Sequence, residues 1–222
     1  MRSLRNPCAL AVMGSMIALA ACSTGGGAPP PPLPRPAAFI PLGLGAGYVS
    51  GDVIGGRKSR AAKMKAAKIR PLGAAAAADY LARADRELRA QTAGIGVDII
   101  RVGDGILIRI PAALTFDSNS AAIRPQFDAT LNEVARTVKV FSQTYVDVYA
   151  HTDTTGSTEH NASLSQKRAS AVAAFLGSHG VTRGRIASKG LGETVPLYPL
   201  EQSEAQRAAN RRVEIRLVAY RG

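Results

Sequence analysis

The sequence predicts an α/β two-layer sandwich, a mixed sheet with helices packed on one face, over residues 95–222. Three observations carry this. A turn signal, Gly103-Asp104-Gly105, stands between two β-patterned runs. Two later segments repeat apolar residues at helical spacing. Short alternating runs follow each helical segment, so helices and strands take turns along the chain.

Taken in order, "VDIIRV" and "ILIRI" flank the glycine turn and form a β-hairpin. In "RPQFDATLNEVARTVKVF", Phe127, Leu131, Val134 and Val138 recur as one helical face, with Pro125 near the start, where its missing N–H costs nothing. "TYVDVYA" alternates as a strand. A second helix begins near Ser157 to Asn161, passes through Leu164, Arg168, Val172 and Phe175, and stops near Gly177 to Gly180. "RIASKGLG" is a short strand. "RRVEIRLVA" sets Val213, Ile215 and Leu217 against Arg212, Glu214 and Arg216, an alternation that calls for a sheet with one wet face. Parallel strands joined through helices cross over right-handed.

The first 94 residues read differently. Arg2 and Arg5, the apolar run from Ala9 to Leu19 and the small residues after it have the layout of a bacterial export signal, residues 1–21. The run is short of the roughly 20 apolar residues that span a membrane. Leu19-Ala20-Ala21-Cys22 resembles a lipobox, which implies acylation of the Cys22 thiol and palmitate-type anchoring. Ser23 after it favours the outer membrane by the sorting pattern of such lipoproteins. Cys8 leaves with the signal, so the mature chain keeps no thiol for a disulfide or a metal. Residues 22–42 are rich in Gly and Pro and cannot build a core; they read as a flexible spacer.

Residues 43–94 form a glycine-rich, basic and helical linker region. Gly43, Gly47, Gly51 and Gly55 are spaced four apart, which is either a membrane-associating or self-associating helix face or, on helix propensity, simply a linker. "RKSRAAKMKAAKIR", residues 57–70, has seven basic residues and no acid. It reads as a solvated basic face, with contact to anionic headgroups as the sharper alternative. "GAAAAADYLARADRELRAQ" reads as a helix, with Asp85 and Arg89 paired at i,i+4.

The formal charge is +12, of which Arg2 and Arg5 contribute two, leaving +10 on the mature chain. An exported, anchored chain does not meet nucleic acid. Anionic lipids or the cell-wall polymer are the partners that this charge implies.

Asp153 and Arg168 stand out. Asp153 follows Thr152 at the end of a strand, where sheets present ligand loops, and Arg168 lies on the apolar side of the next helix. A guanidinium there needs a partner. The partner is either a structural carboxylate, Asp153 or Asp147, or a zwitterionic ligand held between the two charges. His151, Asp153 and His160 do not make a convincing metal site, and no G-x-S-x-G elbow or Cys nucleophile is present, so the sequence reads as neither an enzyme nor a cofactor carrier. A membrane β-barrel would need at least eight long alternating strands, which the pattern lacks.

"HTDTTG", "NASLSQKRA", "GVTRGRIASKGLGETVP" and "NRRVEI" together resemble the OmpA-like peptidoglycan-binding domain, over about Val97 to Ala219. "LTFDSNSAAIRP" fits that family's first strand-to-helix segment. The resemblance implies a ligand, the peptidoglycan stem peptide through meso-diaminopimelate. It gives Asp153 the ammonium and Arg168 the carboxylate. Thr152, Asn161, Leu164 and Ser165 fall on the same motifs, Phe116 and Asn119 on the opposite wall, and Asn210 with Arg211 near the site. Ala150, His160 and Gln206 depart from the usual Gly, Tyr and Gly. The glycine-rich start further resembles OmpA-family lipoproteins. The implied function is noncovalent tethering of the outer membrane to the wall from the periplasm; the alternative is a scaffold lipoprotein of an envelope complex.

Overall fold

The computed structural model describes residues 52–222. The signal, Cys22, the Gly/Pro spacer and most of the glycine stripe lie outside the described residues. Gly55 lies within them, and its φ of 80° is not helical.

The basic run forms α1 (Arg57–Ala66) and the Ala-rich run α2 (Ala74–Gln91). The hairpin is β1 (Asp98–Val102) and β2 (Gly105–Pro111), turned at Gly103 with φ 54°. A single turn, α3 (Ala112–Thr115), leads through a loop to α4 (Pro125–Val140), which starts at its proline as expected. Then come β3 (Thr144–His151), α5 (Thr158–Ser178), a 3₁₀ turn at Arg183–Arg185, β4 (Ile186–Gly192), α6 (Glu204–Asn210) and β5 (Arg212–Ala219). Neither α3 nor α6 is long enough to show a period in the sequence. A side-chain cap does mark α6, since Ser203 Oγ accepts the Gln206 N–H at 3.3 Å.

The sheet order is β1-β2-β5-β3-β4. Only β3 and β4 run parallel, joined through α5; the other neighbours are antiparallel. The last strand therefore inserts at the centre, and folding of the sheet requires the chain to be nearly complete.

One face carries the main apolar core. Ile106, Ile108 and Ile110, Val146, Val148 and Ala150, and Val213, Ile215 and Leu217 meet α2, α4 and α5. Burying each Leu or Ile stabilises by about 1.5–3 kcal/mol. Helix α2 supplies Ala77, Leu81, Ala84 and Leu88 to this core, and Val53 and Met64 are buried as well, so the packed body takes in residues well before 95.

The other face is not wet. Arg212, Glu214 and Arg216, expected in solvent, are at most 7% exposed, and Asp147 is fully buried beside them. The reason is α1, which lies on this face and packs Met64 and Val53 with Tyr145, Val218 and Tyr220. Helices thus flank the sheet on both sides, three on one and α1 on the other. Arg60, read in the sequence as part of a solvated face, turns inward: its Nη1 donates to Asp147 Oδ1 at 2.6 Å, and its Nη2 to the Arg185 carbonyl. Asp147 Oδ2 accepts from Arg216 Nη2 at 3.1 Å and the Ile54 N–H at 3.3 Å. A second group centres on Glu214, which accepts from Arg212 Nε at 2.8 Å and Arg109 Nε at 3.4 Å, with His151 Nε2 at 3.6 Å.

Removing one partner of a buried ion pair leaves an uncompensated charge and costs about 3–5 kcal/mol. Asp147→Ala removes the carboxylate that Arg60 and Arg216 share, so its urea midpoint is expected to fall by a corresponding amount. A second expectation concerns pH. Burial alone would raise the Glu214 carboxyl, but His151 and the guanidiniums of Arg212 and Arg109 hold it at about 2, below its ordinary 4.5. Burial lowers His151 from 6.5 and keeps it neutral. In both cases the unfolded chain binds the proton more readily, so stability is complete above the ordinary values and is lost on acidification. The melting temperature should decline below about pH 6.5 and again between 4.5 and 2. Glu214→Gln should start lower at neutral pH and show a smaller second decline, to which Asp52 and Glu204 still contribute.

Candidate functional site

At the exit of β3 the strand pair loses its regular register between Ala150 and His151. Thr152 N–H then donates to Gly192 O at 2.9 Å and ties the exit to β4. Beneath it β4 lies directly on α5. A Cβ on Gly190 would sit 2.2 Å from the Gln166 backbone nitrogen, so no larger residue fits without moving the helix. Ser165 Oγ accepts the Gly192 N–H at 2.9 Å and donates to the Ala162 carbonyl at 3.0 Å.

The loop between β3 and α5 turns on Asp153, whose Oδ1 accepts the Thr155 N–H at 3.1 Å. Asn161 Nδ2 holds the loop from inside, reaching the carbonyls of Asp153 (3.3 Å) and Thr155 (3.2 Å) and Glu193 Oε2 (2.7 Å). Ser157 caps α5 by accepting the His160 N–H at 3.2 Å. This fixes the rotation of the helix. Its buried stripe is Asn161, Ser165, Arg168, Ala169, Val172 and Leu176, so Leu176 rather than Phe175 is the fully buried residue at its far end.

Arg168 is on that stripe, as expected, but it pairs with neither Asp153 nor Asp147. Asp147 faces the other side of the sheet, and Asp153 Oδ2 is engaged by Arg211 Nη1. Arg168 instead donates from Nε to the Ser120 carbonyl at 2.8 Å and from Nη2 to the Asp117 carbonyl at 3.2 Å. Its guanidinium carbon lies 5.1 Å from the centre of the buried Phe116 ring. Nη1 has no protein partner among the described residues. Burial, and after it the nearby Arg211, lower the Arg168 pKa, while Asp153 raises it.

The carbonyls come from a shaped loop. Asn119 takes φ 53°, Ser120 Oγ accepts the Ala122 N–H at 3.1 Å, and Arg124 clamps the base by donating to Asp117 Oδ1 (2.8 Å) and the Ala113 carbonyl (2.7 Å). Between this loop and α5 opens a groove of about 400 Å³, lined by Asn119, Ser120, Ala121, His160, Ser163, Leu164 and Lys167. Asn119 lines the groove together with Leu164, whereas Phe116 is not among the lining residues and lies buried against Arg168.

Asn210 and Arg211 lie on the other side. Asn210 is buried and committed: Oδ1 accepts the N–H groups of Leu197 (2.7 Å) and Tyr198 (3.0 Å), and Nδ2 donates to Tyr198 O (2.9 Å) and Glu201 Oε1 (2.6 Å). It shapes the loop before α6. Glu201 Oε2 in turn accepts from Thr154 N–H (3.1 Å) and Oγ1 (2.7 Å), joining that loop to the one bearing Asp153. Arg211 is about a third exposed, bridges Asp153 and Glu204, and is the residue that couples the two loops electrostatically. Against the effect of burial, Glu204 and Asp153 raise its pKa.

The sequence did not mark Glu201 or Glu204 as site residues, since each depends on where the pre-α6 loop returns. Glu193 lies inside the quoted "GVTRGRIASKGLGETVP" motif, but nothing in the sequence singles it out either. His151 is buried against Glu214 on the second face, whereas His160 lines the groove, so the two imidazoles serve separate environments. Among the described residues no group of three or more His, Cys, Asp or Glu side chains is placed to hold a metal ion. The mouth thus offers a guanidinium with unused N–H groups, a carboxylate nearby and a rim of both signs, an arrangement suited to a ligand carrying both charges.

Residues 115–211 match the profile of the OmpA family. The chain is 41% identical over 138 residues to the protein named probable lipoprotein YiaD of Escherichia coli (strain K12), covering 62% of this chain and 63% of that one. It is 38% identical over 102 residues to the peptidoglycan-binding protein ArfA of Mycobacterium bovis, covering 46% of this chain and 31% of that one. Among solved structures, the cell wall anchor of the T6SS from Pseudomonas aeruginosa superposes with a TM-score of 0.55 at 30% identity, over 63% of this chain and 96% of that one. This chain therefore spans less than two thirds of the curated relatives it matches.

Asn210→Ala removes four hydrogen bonds and leaves the N–H groups of Leu197 and Tyr198 without their acceptor. At about 1 kcal/mol per bond, amide exchange at Leu197 and Tyr198 is expected to accelerate by more than tenfold, measured by mass spectrometry, while exchange in β3 and β5 changes far less.

Proposed function

We propose that this chain, whose residues 115–211 are an OmpA-family domain, binds peptidoglycan noncovalently at the mouth formed by Arg168, Asp153 and the 117–122 loop. The observation that carries the reading is Arg168: a buried guanidinium whose hydrogen-bond partners among the described residues are two carbonyls and no carboxylate, one of them from Ser120, which lines the groove. Such a group is completed by a carboxylate from outside. The ArfA relative is itself named for peptidoglycan binding, and the structural neighbour is titled a cell wall anchor.

The ligand group is the stem-peptide diaminopimelate. Its carboxylate takes the free N–H groups of Arg168, and its ammonium takes Asp153. Because Arg211 already engages Asp153 Oδ2, the ammonium either shares that carboxylate or displaces Arg211 toward Glu204. Asn161, Ser165 and Asn210 act at one remove, holding loops and strand ends, and Thr152 anchors the β3 exit. Leu164 and Asn119 meet the ligand in the groove, with Phe116 beneath Arg168. No chemistry is performed on the polymer. Acylation at Cys22 anchors the chain in the outer membrane with this domain in the periplasm, so the pair of attachments tethers membrane to wall.

Each charged contact contributes about 1.5–3 kcal/mol, roughly 10- to 150-fold in affinity. Arg168→Ala and Asp153→Ala are each expected to lose sedimentation with purified peptidoglycan while keeping wild-type circular dichroism. Free diaminopimelate should compete with the unaltered protein. Undiminished sedimentation of both folded variants would overturn the proposal.

A further inference from the structure

The ligand mouth lies at the end of the sheet where β3 and β4 finish. The opposite end has its own character. Lys63, Lys65, Lys68 and Arg70 reach it from α1 and the turn after it, and all four are exposed. Three more exposed cations, Lys139, Arg183 and Arg221, arrive from the end of α4, the 3₁₀ turn and the chain's last residues. Contacts confirm that they share one pole. A Cβ on Gly184 would lie 3.3 Å from the Lys63 carbonyl, and one on Gly180 3.1 Å from the Lys139 side chain. Gln143 Nε2 donates to the Arg70 carbonyl at 2.8 Å just before β3, and Leu72 bridges to Arg221.

None of these seven side chains makes an ion pair among the described residues. Asp52 and Asp104 are held by Arg57 and Glu133 by Arg136, while Asp79, beside Tyr80, makes no ion pair among the described residues. Val140, 73% exposed, projects beside Lys139 at the same pole. An apolar tip among unpaired cations suits the boundary between phosphate headgroups and acyl chains.

The chain also enters the body here. Asp52, the first described residue, is held by Arg57, which reaches Asp104 in the β1–β2 turn, and Asp104 O accepts the N–H of Ala219 at the end of β5. Fifty-one residues, including Cys22, precede it. The first described residue therefore stands on the side of the basic pole.

We infer that this pole, built from Lys63, Lys65, Lys68, Arg70, Lys139, Arg183 and Arg221, is a docking surface for anionic phospholipid headgroups, distinct from the peptidoglycan site and able to be filled at the same time. The inference depends on charge at the pole and not on the ligand assigned to the mouth. It also goes beyond the basic run visible in the sequence, because Arg60 is withdrawn from the surface and three cations from distant elements take part.

The test uses the full chain with Cys22→Ser, so that no acyl group contributes, and vesicles of neutral phosphatidylcholine with or without phosphatidylglycerol. A cation near such a surface contributes about fivefold in binding. The expected result is at least tenfold stronger cosedimentation with the anionic vesicles, abolished by high salt. Lys63→Glu/Lys65→Glu/Lys68→Glu should lose the preference, as should Lys139→Glu/Arg183→Glu/Arg221→Glu, a second set on other elements that guards against misfolding of α1. Arg168→Ala should keep the preference in full, and both charge-reversed sets should keep peptidoglycan sedimentation, which separates this result from failure at the mouth. Equal binding to the two vesicle types, or an undiminished preference in both charge-reversed sets, would overturn the inference.

Discussion

Strand β3 has water on neither side, and the rest of the molecule answers to that constraint. All eight of its residues are buried. Of those facing the helical layer, Val146, Val148 and Ala150 are apolar and need only matching shapes. Those facing the other way include Asp147, a carboxylate that cannot lie there without counter-charges. It draws Arg216 from β5 and Arg60 from α1, and Arg216 also donates to the Asp52 carbonyl, so the segment ahead of the sheet is held by the sheet's own polar demand. With both faces closed, β3 can emerge only at its end, where Asp153 follows.

Most of the fold is legible in the sequence because the helical layer obeys simple periods. The hairpin at Gly103, the helix opened by Pro125 and the strand pair around α5 all follow from local spacing. The second face misleads for a physical reason: alternating Arg-Glu-Arg in β5 has the same pattern whether it meets water or a complementary layer of charge. Only the position of α1 decides between them, and α1's own inward residues, Arg60 and Met64, look like any others in a basic run. At the site, Asp153 and Arg168 were legible as charges in unusual places, and the family motif located their neighbours. The partners of Arg168 were not, since it is held by carbonyls of a loop 48 and 51 residues earlier, which no side-chain pattern encodes.

A comparison of two buried arginines shows what separates structure from recognition. Arg185 donates to Thr144 O, Val138 O, Phe141 O and Thr144 Oγ1, using four of its five N–H groups, and burial brings its pKa down to about 10. It locks the end of α4 to the start of β3 and has almost nothing left to offer. Arg168 is held by the same type of acceptor but uses only two donors. Burial fixes its direction, and incomplete satisfaction leaves it receptive.

The Arg60–Asp147 contact has a mechanical meaning. The chain just after Asp52 is tied to the sheet before α1 begins, by Arg216 on the Asp52 carbonyl and by the Ile54 N–H on Asp147. Helix α1 is fastened by a compact set of contacts around Arg60 and Met64, whereas β3 and β5 are laced along their whole length. Detaching α1 therefore breaks a few side-chain contacts, whereas separating β3 from β5 breaks a whole ladder. The buried ion pair is what joins that lightly fastened helix to the strand that ends beside Asp153.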